Sequence, residues 1–263
     1  MIALFVAIAI SANQGSVLQL TFPDEPGLKS VQVEWQGKKI PAVLREDKWM
    51  TVIGADLELK PGEHTANARF TMADGHVESR ETVIDIEAAE FPTTELTVEE
   101  RYVQLSPANL ARANREAKEI ETIYSTIANE TLWQEPFRLP IAGATGRNFG
   151  HRRVFNGEPR APHSGADLRA KTGTPIHAAN RGRVVLAKNL FFTGNTVILD
   201  HGLGIYSLYA HLSRLDVKRG DIAARGQLVG LAGATGRVTG SHLHWAVRAQ
   251  GARVDPFTLV ELK

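Results

Sequence analysis

Gly240-Ser241-His242-Leu243-His244-Trp245 is the stretch on which the reading of this chain turns. Residues two apart on an extended segment face the same way. His242 and His244 are therefore expected on one face of a sheet, with Leu243 and Trp245 turned into a core. Two imidazoles on one face can divide two tasks, one binding a metal through a neutral ring nitrogen and the other handling protons beside it. Spacing alone does not say which does which. Upstream lies Pro162-His163-Ser164-Gly165-Ala166-Asp167. The proline and Ser164-Gly165 argue against a helix, so a bend is expected to return His163 and Asp167 to one point, with Gly165 permitting the tight backbone. With one histidine of the pair they make a two-His, one-carboxylate set. A catalytic zinc site wants that number of protein ligands and an open fourth position. His211, in the run Ile205 to Leu212, completes the group. Seven of the nine histidines fall between residues 151 and 244, so they are concentrated in one segment.

His163-x-x-x-Asp167, Tyr209-Ala210-His211-Leu212-Ser213 and Gly240 to Trp245 resemble, in order and spacing, the three signature blocks of the lysostaphin/LytM-type zinc endopeptidases, which cut peptide cross-links of bacterial peptidoglycan. The resemblance covers about residues 145–258. It implies that His163, Asp167 and His244 are the metal ligands, that one Zn²⁺ is carried per chain, and that His211 and His242 flank the catalytic water. One feature departs from the family's staphylococcal members, which place a tyrosine shortly before the first ligand. No tyrosine lies between Tyr124 and Tyr206 here, so that role is vacant or passes to His211 or His242.

The length of 263 residues allows one large domain or two ordinary ones, and 43% hydrophobic residues suffice for real cores. The absence of cysteine excludes disulfides and thiolate zinc sites. A net charge of +1 conceals an asymmetry. Residues 145–263 carry 17 Lys+Arg against 7 Asp+Glu, whereas residues 1–144 carry 13 against 22. A basic half suits an anionic polymer by long-range steering. Without any nucleic-acid motif the cell wall is the favoured partner and nucleic acid is not expected.

In chain order, Ile2–Ile10 is uninterrupted apolar sequence. It is too short to span a bilayer but suits the core of a secretory signal over residues 1–14, although the basic start is missing; a buried first strand is the alternative. Residues 15–90 alternate with period two, as at Leu18, Leu20, Phe22 and Val31, Val33, Trp35, between turns such as Gln36-Gly37 and Asp74-Gly75. A small immunoglobulin-like β-sandwich is expected there. Residues 91–135 read as a linker and one α-helix, with Ser106 as N-cap, Pro107 at the first helical position and an apolar stripe from Leu110 through Ala113, Ala117, Ile120, Tyr124 and Ile127. That helix is expected to pack between domains. Residues 136–263 form the peptidase domain, all β, opening on a mobile loop at Gly143, Gly146 and Gly150. His177 reads as a strand residue and His201 as a turn residue, neither catalytic.

The fold expected is therefore mainly β: sandwich, linking helix and lysostaphin-type peptidase domain. The function implied by the resemblance is hydrolysis of peptidoglycan stem-peptide cross-links, the bond between D-Ala and meso-diaminopimelate being favoured. The signal-like start and the sandwich imply a periplasmic or cell-envelope location, with membrane or envelope attachment as a further expectation; no oligomeric state is assigned. Two other classes compete. A non-catalytic relative that activates a wall amidase would usually have lost ligands, and all five site residues are present. A cupin-like metal barrel also uses His-x-His, but not a separate His-x-x-x-Asp block upstream. No Gly-x-Ser-x-Gly elbow supports a serine protease.

Overall fold

In a computed structural model, residues 10–262 are described. Apart from Ile10, the apolar run Ile2–Ile10 lies outside them. Alternation in the first third builds β1 (Ile10–Asn13), β2 (Val17–Pro23), β3 (Leu28–Trp35), β4 (Lys38–Pro41), β5 (Val43–Arg45), β6 (Lys48–Gly54), β7 (Gly62–Met72) and β8 (Val77–Glu87). They form two sheets, ordered β1-β8-β7-β3-β4 and β2-β6-β5. Leu20 and Ile53 from one sheet meet Val31, Val33, Phe70, Ile84 and Ile86 from the other in a shared core. At the Gln36-Gly37 turn both residues have positive φ, 46° and 71°, as the tight turn of a twisted hairpin requires.

The second sheet of this sandwich does not end in solvent. Val17, Met50 and Val52 belong to the peptidase core, and Gln250 Nε2 donates to the carbonyls of Val52 and Leu203. Arg253 joins Asp56 and Glu58 across the same boundary, each at 2.6 Å. The two regions are thus packed against one another instead of being joined only by a tether.

The connection begins with β9 (Thr93–Leu96) and continues to α1 (Pro107–Tyr124). Ser106 caps the helix, its Oγ accepting from the Asn109 amide, as expected of this residue type. Ile120, Ile123 and Tyr124 pack on Leu186, Ile198, Leu208, Ala210 and Ala246. The helix therefore lies on the peptidase sheet and not between two domains, and Leu110, the start of the expected stripe, is exposed.

The remaining strands are β10 (Arg152–Phe155), β11 (Glu158–Arg160), β12 (Ala166–Arg169), β13 (Pro175–His177), β14 (Gly182–Leu190), β15 (Gly194–Gly202), β16 (Ile205–Leu212), β17 (Arg214–Leu215), β18 (Ile222–Ala223), β19 (Leu228–Leu231), β20 (His242–Ala249) and β21 (Ala252–Val254). The short helix α2 (Pro256–Glu261) closes the chain's described part, so residues 136–263 are not all β as expected: Asp255 caps a helical turn opened by Pro256. The main sheet runs β12-β20-β16-β15-β14-β18, with β21 also on β20, and β13-β19-β17 form a second layer. Leu168, Leu243, Trp245 and Val247 are fully buried between the layers, leaving the opposite face for the histidines. In addition, β9 pairs in parallel with β10, so the connection contributes a strand to the peptidase edge. Among the described residues no helix is long and apolar enough to cross a membrane.

Candidate metal centre

Strand register assembles the centre. Asp167 lies opposite His244, and Arg169 opposite His242, in the antiparallel β12–β20 pair. Because cross-strand partners share a face, Asp167, His242 and His244 all project from the sheet's outer side. His163 arrives from the bend before β12. Gly165 makes that bend possible: a Cβ there would lie 2.7 Å from the Trp245 carbonyl and 2.9 Å from the His244 ring.

Three ligand atoms converge. His163 Nε2 lies 2.9 Å from His244 Nδ1 and 3.1 Å from Asp167 Oδ1. His244 Nδ1 lies 2.9 Å from the same carboxylate oxygen. Tetrahedral zinc with bonds of about 2.0–2.1 Å sets its ligands about 3.3 Å apart, so the cluster needs only a slight expansion to hold the ion. The tautomers agree. His163 Nδ1 donates to the Asn148 carbonyl at 2.9 Å, which leaves Nε2 as a lone pair directed at the other two ligand atoms. Two imidazoles and a carboxylate held this close fit a divalent cation.

Asp167 is fixed from behind. Its Oδ2 accepts from Arg153 at 2.7 Å and from Asn148 Nδ2 at 3.0 Å, freeing Oδ1 for the histidines. Burial alone would raise this carboxyl's pKa, but hydrogen bonds and charge from His163 and His244 hold it well below the usual carboxylate range. Asn148 also accepts the Asp167 amide at 2.9 Å through its Oδ1. The glycine-flanked stretch expected to be mobile is thus tied to two of the three ligands.

His211 reaches the group by a break in alternation. Strict alternation would turn it to the core side with Tyr209. Instead β16 carries an irregularity between the Tyr209–Val197 and Leu212–Asn195 pairs, and His211 adopts φ 63°. Such a bulge re-aims a side chain, and left-handed backbone at a non-glycine residue is uncommon enough to point to function. The ring ends 4.9 Å from that of His242 and 5.9 Å from that of His244, centre to centre. His211 Nδ1 donates to the Thr235 carbonyl at 2.8 Å, and His242 Nδ1 to that of Gly240 at 2.9 Å. Both therefore keep Nε2 as an acceptor, that of His242 lying 3.6 Å from Asp167 Oδ1. Burial, followed by the neighbouring histidines, pushes the His211 pKa down to about 3. His244 is lowered to about 4, burial outweighing its bond to Asp167.

All five residues singled out from sequence are thus brought together. Sequence reasoning passed over Asn148 and Arg153, which sit in a loop and a short edge strand with no periodic signal. His177 ends β13 as expected. His201 is not in a turn but near the end of β15, fully buried.

The family model "Peptidase family M23" matches residues 161–256. A crystal structure from Pseudomonas aeruginosa described as a peptidase M23 superposes with a TM-score of 0.68 at 30% identity, covering 94% of this chain and 94% of that one. The chain belongs to peptidase family M23. Two curated relatives match part of the chain. The peptidoglycan DD-endopeptidase ShyA of Vibrio cholerae serotype O1 is 42% identical over 109 residues, covering 41% of this chain and 25% of the relative. The DD-carboxypeptidase/endopeptidase Mpg of Neisseria meningitidis serogroup B is 37% identical over 97 residues, covering 37% of this chain and 22% of the relative. This chain thus spans about a quarter of the length of the curated relatives it matches. The M23 match encloses all five site residues, whereas Asn148 and Arg153 fall before it.

Proposed function

We propose that this chain is a zinc-dependent endopeptidase that hydrolyses stem-peptide cross-links of bacterial peptidoglycan, at the bond between D-Ala and meso-diaminopimelate, in the periplasm or cell envelope. The observation that carries the reading is the convergence of His163 Nε2, His244 Nδ1 and Asp167 Oδ1 beside the His211 and His242 rings. The names of the aligned relatives support the substrate class. His163, Asp167 and His244 would hold one Zn²⁺. When bound, zinc lowers the pKa of a water from about 15.7 towards about 7 and polarises a carbonyl.

The chain's own residues supply the rest. His211 Nε2 and His242 Nε2 are acceptors because each Nδ1–H is engaged by a backbone carbonyl. Either can take a proton from the attacking water and pass it to the leaving amine. Burial lowers the His211 pKa, so the resting ring is neutral and its Nε2 lone pair is open to a hydrogen bond from water. Once one of the two adjacent rings carries the proton taken from water, it can also donate towards the oxygen that gains charge, a role for which the sequence has no tyrosine between Tyr124 and Tyr206. Arg153 and Asn148 are positioning residues, holding Asp167 through its second oxygen.

The test is digestion of purified sacculi by the zinc-loaded chain, with the released fragments identified by mass. New D-Ala carboxyl ends and free diaminopimelate amines are expected, abolished by a chelator and restored by zinc. A chain with bound zinc that releases no fragments would overturn the reading, and stimulation of a separate amidase would place it with the non-catalytic relatives.

A further inference from the structure

Beside the centre, three arginines gather on one wall. Arg153 and Arg160 are direct cross-strand partners in the β10–β11 hairpin. Phe155, two residues after Arg153, projects from the same face. Arg237 lies over that ring at 4.7 Å and over Phe192 at 4.5 Å. Burial chiefly, then the charges of Arg153 and Arg160, lower its pKa to about 10. Arg153 has Asp167 as partner. Among the described residues, no carboxylate or carbonyl receives a bond from the Arg237 guanidinium, and Glu158, opposite Phe155, is exposed.

The two phenyl faces offset part of the cost of holding this cation away from water. They do nothing for the mutual repulsion of three arginines. A guanidinium held against two rings, with its donors uncommitted, is preorganised for a carboxylate. The place is informative. Arg237 follows Thr235 and Gly236, and the Thr235 carbonyl orients His211. On the other side, Arg153 touches Asp167. The cluster thus adjoins both the ligand and the proton-handling sides of the centre.

We infer that Arg237, with Arg153 and Arg160 adding field, receives the free carboxylate on the amine side of the scissile bond. This rests on the endopeptidase reading above. In that cross-link the carbon bearing the scissile nitrogen also carries a free carboxylate, whereas a glycine bridge has none. Arg237 is therefore a specificity-determining residue that selects direct diaminopimelate cross-links over glycyl ones.

Three synthetic cross-linked stem-peptide dimers test this with the zinc-loaded full chain. One keeps all carboxylates, one has the amine-side carboxylate amidated, and one has only the distal C-terminal carboxylate amidated. Amidation beside the scissile nitrogen should lower kcat/KM roughly 10–100-fold, as loss of a charge-assisted hydrogen bond does; distal amidation should change it by less than about twofold. In Arg237→Gln the ratio between the first two substrates should fall close to one. Arg237→Lys should keep an intermediate ratio, since it retains charge without the fork. Equal losses on all three substrates in both variants would mean that Arg237 only holds the loop, and would overturn the inference. So would sensitivity to the distal carboxylate alone. If the wild-type chain cleaves none of the dimers, the endopeptidase reading fails. Calorimetric binding of the uncleaved dimers then decides the inference: preference for the free amine-side carboxylate, lost in Arg237→Gln, upholds it, and no preference overturns it.

Discussion

Buried His201 and the histidines of the metal centre sit on opposite sides of the same sheet, and they differ in what their ring nitrogens meet. On the inner side His201 has both nitrogens satisfied, by the Arg181 carbonyl and by Ser207 Oγ, each at 2.8 Å. Ser207 continues the chain to the Tyr209 hydroxyl, which accepts the Ala179 amide. On the outer side His163, His211 and His242 each commit one nitrogen to a backbone carbonyl and aim the other at a common centre. Burial depresses His201 to about 4 and His244 also to about 4. A low pKa therefore does not distinguish structural from functional histidine. Convergent, uncommitted lone pairs do.

The sharpest way to break that contrast is to remove a ligand. His163→Ala or Asp167→Ala should eliminate zinc and activity together while circular dichroism stays native, because the sheet's core faces the other way; full zinc occupancy in both would refute the ligand set. Next in size is His211→Ala, expected to retain zinc and lose about 10²–10⁴-fold in kcat, with KM changed less. The His211→Ala, His242→Ala double variant should cost far less than the product of the singles, since the rings act as a unit. Arg153→Gln should weaken zinc binding by roughly 10–100-fold in a chelator competition, the usual effect of losing a group that orients a ligand. An unchanged affinity would show that Asn148 holds Asp167 alone.

The smallest effect on chemistry belongs to His201. Its folded pKa lies below the ordinary 6.5, so the unfolded chain binds the proton more readily. The stability it contributes is present above pH 6.5 and is lost as pH falls through about 4, an amount on the order of 3 kcal/mol. His201→Gln should leave zinc content unchanged and flatten the acid limb of the stability curve measured with zinc bound. An equally steep acid limb would assign the effect to other groups.

Much of this was legible in sequence because it depends on period and spacing. Alternation at His242-Leu243-His244-Trp245 sets two rings on one face and two apolar side chains in the core, and Gly165 marks the bend that brings His163 back. The helix start was written in Ser106-Pro107. What stayed hidden depends on tertiary geometry. His211 reaches the centre only through a bulge and a left-handed backbone, which no local pattern announces. Asn148 and Arg153 act across 19 and 14 residues in a loop and an edge strand. His201, in Asp200-His201-Gly202, looked like a turn residue, yet β15 runs through it. The helix's resting place on the peptidase sheet could not be read from a stripe that fits any apolar surface.

The central claim is that His244 binds the metal while His242, two residues away on the same face, handles protons. Zinc content and kcat of His244→Ala and His242→Ala, measured side by side on folded protein, test it most directly. The account predicts a metal-free, inactive His244→Ala and a zinc-loaded His242→Ala slowed by about 10²–10⁴-fold. A His242→Ala without metal beside a zinc-loaded His244→Ala would contradict it.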